Sequence, residues 1–487
     1  MNSNITEIID HVVTSITFFR PEVCLIITFI ICIFASLFVR KKQSFSAFII
    51  TIVGFLFSSV FLIQQLANTG TGFFNMIHID NLAIYSRLVI AIGAIITAIF
   101  IQQRQPRNNG DVHTVLIAAT IGMFLLTMTT HWLVIFIGIE MVSIASYILV
   151  GYFSTDKKQS EAAMKYALFG SVCAAIMLYG LSLIYGLTGN LDFSSLDHIK
   201  GLMTAPDAIV SIATLFIFVG FGFKLGFVPL HIWTPDVYQG APTAITAFLS
   251  TLPKMAAFIL LARLYQAWSD TLFYFSELVT SFIIVLAIIT MLVGNLAALR
   301  QTDAKRLMAY SSIGHTGFLL MAIFAYKQSF EYLLFYLIAY TIMNFIAFIF
   351  IDYIEKYTKS SSLLSYSGLG KQMPLLFTLF TFVAISLIGL PPTMGFVGKL
   401  MVFTSVFDIY QESNNTFVLL MLIIGALTSV ISLFFYFRLP LYAFLKEGKP
   451  TEIHNPPIDL LTIIAIFLTL LLLLLGLFPN LLLDILR

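Results

Sequence analysis

Four ionisable residues stand inside long apolar stretches of the chain. Glu140 lies within "LVIFIGIEMVSIASY", Lys224 follows a long uncharged run, Lys254 lies within "AFLSTLPKMAAFILLA" and Lys399 within "SLIGLPPTMGFVGKLMVF". If these stretches cross a membrane, each charge costs about 2.5–3.5 kcal/mol even on lenient insertion scales. Ionisable groups retained at that cost usually mark ion pathways, and carboxylates and amines can exchange protons. The four residues therefore predict proton or ion transfer.

Structural roles are the alternatives for the same side chains. Glu140 could be a carboxylate bonded to neighbouring helices, Lys224 could snorkel to an interface, and Lys399 could be incidental to a hinge. Lys254 is central in its span, about 15 Å from either surface of a ~30 Å hydrocarbon layer, which is beyond the reach of a lysine stem. Arg87 stands closer to the end of its span, where we expect it to reach the outer interface.

Prolines close to the lysines predict helix breaks at Pro229, Pro253, Pro391 and Pro392. A proline removes a backbone donor and opens the helical hydrogen-bond ladder. Irregular backbone at membrane depth is tolerated where it lines a cavity or is buried in protein. We therefore expect water beside the lysines.

Three further polar residues could extend this pathway. His315, in "YSSIGHTGF", could relay protons near neutral pH, although a packing histidine with satisfied hydrogen bonds would fit the same position. His231 and Asp236 follow the break at Pro229, and we expect them to face the cytoplasmic mouth of the pathway.

The composition requires a membrane protein. Of the 487 residues, 59% are hydrophobic and 10% are charged, whereas soluble domains carry about 25% charged residues. The three cysteines have no metal-ligand spacing, and the glycines of 220–226 have the wrong spacing for a phosphate-binding loop. We expect no metal or cofactor in this chain, no nucleic-acid partner, and lipids and protons as its small partners.

Apolar runs of about 20 residues predict fourteen spans. Their approximate limits are 22–39, 44–65, 80–102, 112–128, 130–153, 161–188, 208–228, 242–268, 274–298, 304–325, 328–356, 374–409, 415–438 and 458–479.

The basic residues support this count. With the N-terminus outside, the odd-to-even connections carry seventeen Lys and Arg residues, the even-to-odd connections and termini carry five, and four lie within spans. Such an asymmetry follows the positive-inside rule, and one misplaced span would reverse it further along the chain. Both termini are therefore predicted on the outer side.

Two of the spans with predicted breaks, seven and twelve, each carry a lysine beside the proline and lie five spans apart. This spacing predicts two five-helix repeats, spans 4–8 and 9–13, which must be inverted in the membrane because five is odd. The predicted divisions of one membrane domain are 1–111 (spans 1–3), 112–273 (first repeat), 274–440 (second repeat) and 441–487 (final span).

Three segments resemble the proton-translocating membrane subunits of respiratory complex I. They are "GFKLGFVPLHIWTPDVYQGAPTAITAFLSTLPK" (222–254), "GNLAALRQTDAKRLMAYSSIGHTGF" (294–318) and "GLPPTMGFVGK" (389–399). Within that family, "TPDVYQGAP" and a lysine rather than a glutamate in span twelve resemble one subunit type. No segment resembles the long C-terminal lateral helix of the largest subunit.

The resemblance implies an antiporter-like fold and roles for four residues: Glu140 as the span-five glutamate, Lys224 as its partner, Lys254 as the central lysine and Lys399 as the exit-side lysine. It also implies that flavin, iron–sulfur clusters and quinone are bound by other subunits, so this chain would belong to a translocating enzyme without redox chemistry of its own. Implied partners are an antiporter-like M-type subunit and small K- and J-type subunits. The implied location is a bacterial plasma membrane rather than an organellar one.

Two other classes share these features, namely a subunit of a multisubunit cation/proton antiporter and the membrane arm of a membrane-bound hydrogenase. Composition does not separate them, but "DVYQGAP" favours complex I. A purely structural scaffold is the remaining alternative, and the four costly charges argue against it.

Overall fold

The computed structural model describes residues 2–38, 43–104, 110–153, 156–269, 274–326, 329–447 and 459–487. Within these ranges the chain is almost entirely helical, apart from one short antiparallel hairpin formed by β1 (Gly70–Gly72) and β2 (Ile77–Ile79). Thirteen helical stretches are long and apolar enough to cross a membrane. The prediction of an all-α, multi-pass membrane protein is confirmed.

The helices fall into four groups along the chain. The first group is α1 (Asn2–Ile16), α2 (Arg20–Phe38), α3 (Gln43–Gln65) and α4 (Asn81–Arg104). The second is α5 (Gly110–Met128), α6 (Trp132–Gly151), α7 (Lys157–Thr188), α8 (Leu196–Thr204), α9 (Asp207–Leu225), α10 (Trp233–Gly240) and α11 (Thr243–Ser269). The third is α12 (Tyr274–Ala298), α13 (Ala304–Ala325), α14 (Phe330–Thr358), α15 (Leu369–Gln372), α16 (Pro374–Ile388), α17 (Met394–Ser413) and α18 (Thr416–Tyr436). The last is α19 (Arg438–Leu445), α20 (Leu460–Leu477) and α21 (Asn480–Leu486).

Two spans are interrupted, as the sequence predicts. Helix α9 ends at Leu225 and the chain is not helical again until α10, while residues 389–393 separate α16 from α17. Helix α16 is too short to count among the thirteen candidate spans. The broken pair α16–α17 corresponds to predicted span twelve, which brings the total from thirteen to the predicted fourteen.

Polar caps fix where several buried helices begin. The carboxylates of Asp156, Asp303 and Asp459 accept hydrogen bonds from backbone N–H groups in the first turns of α7, α13 and α20. Such caps satisfy donors that have no partner within the helix. At the other end of α7, Gly189 takes a left-handed conformation with φ of 63°, which glycine adopts without steric cost.

The described residues pack as two compact units. The first unit comprises Met1–Lys224 and Leu252–Val279, and the second comprises Leu225–Thr251 and Thr280–Arg487. The break after α9, together with α10 and the start of α11, thus belongs to the second unit.

One local motif occurs in both units. In the first, the turn before α6 pairs with the chain after α7 through Trp132 N–H to Leu191 O at 2.8 Å and Phe193 N–H to Thr130 O at 3.1 Å. In the second, the turn before α13 pairs with the chain after α14 in the same way, through Ala304 N–H to Ser361 O and Leu363 N–H to Thr302 O, both at 2.8 Å. This recurrence supports the predicted repeat, in which α6 and α7 correspond to α13 and α14.

Connections predicted on the same side of the membrane meet within each unit. In the first unit, Ile77 of the hairpin between spans two and three pairs with Thr129 between spans four and five. In the second, Arg306 contacts Asp236, and Arg438 donates to Gln301 O at 3.0 Å. Which side is cytoplasmic stays a prediction, and six of the counted basic residues lie outside the described ranges: Arg40, Lys41, Lys42, Arg107, Lys327 and Lys449.

Two sequence predictions are wrong. Pro253 does not break its helix, because α11 continues from Thr243 to Ser269 with the proline inside. Arg87 does not reach an interface, because it is fully buried and pairs with Glu22 through an Nη1–Oε1 distance of 2.7 Å. Gln65 completes this cluster, accepting from Arg87 Nη2 at 3.0 Å.

Candidate functional site

In the first unit, Lys224 contacts a serine on the face of α6 that also carries Glu140. Lys224, in the last turn of α9, donates to Ser143 Oγ at 3.4 Å. Ser143 lies three residues after Glu140, which places both side chains on the same helix face. Glu140 Oε1 is buried and has no hydrogen-bond partner among the described residues. Lys224 therefore contacts the α6 face that carries Glu140, and the two charged groups do not form an ion pair in the structure.

The two candidate site lysines of this unit, Lys224 and Lys254, are inside the protein. Only 3% of Lys224 and 1% of Lys254 is accessible. Lys254 lies in the central part of α11, whose most apolar stretch is completely buried. Snorkelling to an interface leaves the end of a lysine accessible, so this alternative is excluded for both side chains.

In the second unit, Lys399 binds the open end of a broken helix. Its ammonium donates to the carbonyl oxygens of Leu387 at 3.2 Å and Ile388 at 2.8 Å, and to Ser429 Oγ at 3.4 Å. The last carbonyls of a helix have no intrahelical donor, and the C-terminal end of the helix dipole attracts cations. The ammonium also stands 4.5 Å from the centroid of the Phe318 ring, within cation–π range. The break therefore creates the binding site for this lysine, which is 5% accessible.

Gly389 is the residue that lets α16 end beneath Lys399. Its φ is 88°, and a Cβ built on it would lie 2.7 Å from Lys399 Cδ. Left-handed backbone costs most other residues roughly 1–3 kcal/mol, and the clash would add to that cost by displacing the lysine.

We expect Gly389→Ala to lower proton transport by the assembled protein several-fold, because Lys399 would be moved from the Leu387 and Ile388 carbonyls. Gly186→Ala is the matched control, since a Cβ at Gly186 meets no atom within 4 Å. Transport should be measured in sealed vesicles at equal amounts of assembled protein. Equal transport by the two variants would show that the position of Lys399 is unimportant.

His315 on α13 lies in a chain of hydroxyl groups in the second unit. Its Nδ1 is 2.9 Å from Tyr336 Oη and its Nε2 is 3.1 Å from Tyr436 Oη, which in turn bonds Ser311 Oγ. A neutral imidazole has one donor and one acceptor nitrogen, and each hydroxyl can do both. Both ring nitrogens are bonded to hydroxyl groups, which fits a relay and a packing histidine alike, so the relay role of His315 stays a prediction.

A second hydroxyl chain runs beside the first. Tyr340 Oη is 2.7 Å from Ser312 Oγ and donates to Ser250 O at 2.9 Å, and Tyr238 Oη is 3.5 Å from the same serine. The sequence predictions omit all of these hydroxyl residues. The available signal is the i, i+4 spacing of Tyr336 and Tyr340, which places two hydroxyls on one face of an otherwise apolar helix.

The chain brings the His315 network close to Lys399. Tyr336, which bonds His315, packs against Gly398, where a Cβ would lie 2.9 Å from Tyr336 Cδ2. Phe318 contacts both the Lys399 ammonium and the His315 ring. The predicted exit lysine and the predicted relay histidine therefore share neighbours within one unit.

Charged residues at one end of the second unit form two ion pairs. Asp236 Oδ1 is 2.7 Å from Arg306 Nη1, and Lys305 Nζ is 2.8 Å from Glu355 Oε2, which also accepts from Thr243 Oγ1 at 3.1 Å. Asp236 is part-exposed, and its position at the mouth of a pathway stays a prediction. His231 is also part-exposed.

His198, at one end of the first unit, packs against aromatic rings. His198 on α8 stacks on Trp268 with ring centroids 6.4 Å apart, and its Nδ1 is 3.0 Å from Asn190 O. Burial lowers the pKa of His198, although Asn190 and Asp192 act in the opposite direction. This histidine is therefore a neutral packing residue near pH 7.

The described residues include buried groups of the kinds that can exchange protons. Among those residues, no group of three or more His, Cys, Asp or Glu side chains is placed to hold a metal ion. The candidate site provides buried amines, the Glu140 carboxylate with an unbonded oxygen, a chain of hydroxyls around the His315 imidazole and a second hydroxyl chain beside it.

Comparison with known proteins finds a matching family and relatives that belong to it. Residues 129–432 match the family described as NADH:quinone oxidoreductase/Mrp antiporter, TM. The NADH-quinone oxidoreductase subunit N of Chlorobium chlorochromatii is 37% identical over 462 residues, covering 91% of this chain and 88% of that protein.

Solved structures show the same fold. A chain of respiratory complex I from Thermus thermophilus with bound aureothin superposes with a TM-score of 0.79 at 28% identity, covering 95% of this chain and 98% of that one. A chain of the Mrp complex from Dietzia sp. has a TM-score of 0.78 at 18% identity, covering 96% of each chain. At that identity the second likeness concerns the fold alone.

Proposed function

The chain belongs to the NADH:quinone oxidoreductase/Mrp antiporter membrane family, and from this premise we propose that it is subunit N of a proton-pumping NADH:quinone oxidoreductase. It moves protons across the membrane while other subunits oxidise NADH and reduce quinone. The proposed proton-carrying residues are Glu140, Lys224, Lys254 and Lys399, with His315 as a relay. His231 and Asp236 are proposed at the cytoplasmic mouth.

The observation that carries the proposal is the burial of three lysines inside apolar helices. Lys224, Lys254 and Lys399 are at most 5% accessible. Burial disfavours the charged form of an amine, so a lysine kept in such a place is suited to lose and regain a proton. A scaffold gains nothing from three such groups, because apolar side chains of similar volume would pack as well.

Glu140 is proposed as the residue through which a neighbouring subunit controls the lysines. It shares one face of α6 with four exposed apolar residues: Leu133, Ile137, Ile144 and Ile148. A carboxylate facing lipid would be costly, so this face fits a protein partner. Small K- and J-type subunits and an antiporter-like M-type subunit are the proposed partners of the chain.

The proposed switch works through electrostatic repulsion. With Glu140 beside Lys224, the ammonium is stabilised; when a partner draws Glu140 away, Lys224 repels the proton held on Lys254. Two unit charges about 8 Å apart at an effective dielectric constant of about 20 interact by about 2 kcal/mol. Moving one charge against 100 mV costs about 2.3 kcal/mol. One switch therefore supplies a useful fraction of the work, and coupled sites supply the rest.

The second unit is proposed to complete the transfer. The Lys399 ammonium on the end of α16 is the proposed exit-side acceptor, and the tyrosine hydroxyls beside His315 supply sites at which a proton can be accepted on one side and donated on the other. Support comes from the close packing of Tyr336 on Gly398, next to the lysine.

The rest of the assignment follows the family. Flavin, iron–sulfur clusters and quinone are proposed to be held by other subunits, and the chain is proposed to lie in a bacterial plasma membrane with both termini outside. The rival, a cation/proton antiporter subunit, shares the fold. The 37% identity to a subunit N over nine-tenths of the chain favours the oxidoreductase.

Replacing Glu140 tests the function directly. In the intact assembly in sealed vesicles, Glu140→Gln should lower NADH-driven proton uptake at least about 10-fold, because the amide carries no charge to switch Lys224. Quinone reduction should fall with it, since the two are coupled. Glu161→Gln is the matched control, because Glu161 is an exposed carboxylate on α7 that pairs with Lys165 at the surface.

The same vesicle assay distinguishes the proposed oxidoreductase subunit from the rival cation/proton antiporter subunit. The proposal requires proton uptake driven by NADH and quinone with no cation gradient. Proton movement that needs a sodium or potassium gradient, and that continues without NADH, would identify an antiporter and refute the proposal.

A further inference from the structure

An open apolar groove runs along the outside of α2 and α3 in the first unit. Its volume is about 540 Å³ and its wall is formed by one stripe of residues from each helix, including Val23, Ile27 and Ile31 of α2 and Val53 and Phe57 of α3. Ile27, Ile31, Val53 and Phe57 each have more than two-fifths of their surface accessible. The groove is therefore open on the outer surface of the unit, and its walls are accessible to a ligand.

Apart from Arg20, the lining of the groove offers few polar groups to a partner. Its only uncharged polar side chains are Thr28 and Cys24, and both donate within the unit: Thr28 Oγ1 to Cys24 O at 2.7 Å and Cys24 Sγ to Gly54 O at 3.8 Å. Protein interfaces carry about one hydrogen bond per 100–200 Å². A wall that is mostly aliphatic and aromatic instead matches a hydrocarbon chain.

One cation closes one end of the groove. Arg20, the first residue of α2, lines it and is exposed. Its guanidinium has no ion pair with any described residue, because the adjacent carboxylate, Glu22, is buried against Arg87. A free guanidinium binds phosphate oxygens well, since its planar donors match their geometry.

The length of the groove matches one leaflet of a bilayer. From Arg20 to Ile31 the α-helix rises about 16 Å at about 1.5 Å per residue. Half of a hydrocarbon layer about 30 Å thick is about 15 Å. The cation thus stands where a lipid headgroup lies, and the apolar wall extends as deep as an acyl chain.

We propose that this groove is a binding site for an anionic diacyl phospholipid, with the headgroup phosphate on Arg20 and one acyl chain between α2 and α3. The site is independent of the proposed proton path and lies on the first two of the three spans outside the predicted repeats. It takes its lipid from the leaflet at the N-terminal end of α2.

Photo-crosslinking in vesicles that contain the intact assembly tests the site. Two probes are compared, phosphatidylglycerol and phosphatidylcholine, each with a diazirine in the middle of one acyl chain. After illumination, peptide mass spectrometry should find adducts on α2 and α3 near Ile27, Ile31, Val53 and Phe57. The anionic probe should give about fivefold more adduct than the zwitterionic probe, the usual effect of one basic residue near a membrane surface.

Four variants make the test specific. Arg20→Gln should abolish the preference for phosphatidylglycerol and Arg20→Lys should keep it. Ile27→Trp should fill the groove and lower adducts from both probes, whereas Ile30→Trp, at another exposed site on α2 that does not line the groove, should change neither. Equal adduct from both probes in the unchanged protein would overturn the proposal. Absence of lipid adducts from the groove would mean that a protein covers it, which also overturns the proposal.

Discussion

Lys254→Met should lower NADH-driven proton uptake by the assembled oxidoreductase at least about 10-fold, and quinone reduction should fall with it. Methionine has a similar length and volume and is apolar, so it fills the space in α11 without a titratable group. Replacing a buried ionisable group by an apolar one of similar size is often neutral or stabilising. The variant should therefore assemble normally, and the loss should be in transport.

The measurement is proton uptake into vesicles together with NADH oxidation, at equal amounts of assembled protein. Lys200→Met is the matched control, because Lys200 is exposed on α8 and its charge is already solvated. Lys254→Arg adds a second readout, since an arginine keeps the charge but does not release its proton. If pumping and quinone reduction both stay normal in Lys254→Met, Lys254 is not the proton carrier.

Arg87→Met should prevent or severely reduce assembly of the subunit. Arg87 and Glu22 are both fully buried, and the pair joins α4 to α2. Removing one partner of a buried pair leaves an uncompensated charge and typically costs about 3–5 kcal/mol. Glu22 Oε2 already lacks a partner among the described residues, so little else is available to compensate it.

The amount of assembled complex in membranes and its thermal midpoint measure this effect. The double variant Glu22→Met with Arg87→Met should recover most of the loss, because both charges are then removed together. Lys165→Met is the control, since the exposed pair with Glu161 is worth about 0–1 kcal/mol. Normal assembly of Arg87→Met would show that the pair is not needed to hold the first three spans.

The fold was largely predictable because a membrane restricts what a backbone can do. Every spanning segment must satisfy its own hydrogen bonds, so apolar length and helix number follow from composition. The spans, the division between α5 and α6 and the two interrupted spans are confirmed by the structure. The wrong prediction at Pro253 has a local cause: a proline within a membrane helix removes one donor, and neighbouring groups can satisfy the freed carbonyl without ending the helix.

The candidate site was predictable only in its charged part. Glu140 and the three lysines stand out because a charged residue within a long apolar stretch is costly to insert into a membrane. Tyrosine and serine give no such signal, since both are ordinary residues in membrane helices. The network of Tyr336, Tyr436 and Ser311 around His315 joins residues as far as 125 positions apart, and periodicity carries no information over that distance.

By itself the sequence determined that this is a multi-pass helical membrane protein with four expensive charges and two broken spans. Local energetics sufficed for this, since insertion cost and proline chemistry act on each segment separately. Only the tertiary structure decided which groups the charges meet. Lys399 meets the free carbonyls of α16, Lys224 meets Ser143, and Arg87 meets Glu22. Those partners come from different helices, and a hydrogen bond between helices depends on packing that no single segment specifies.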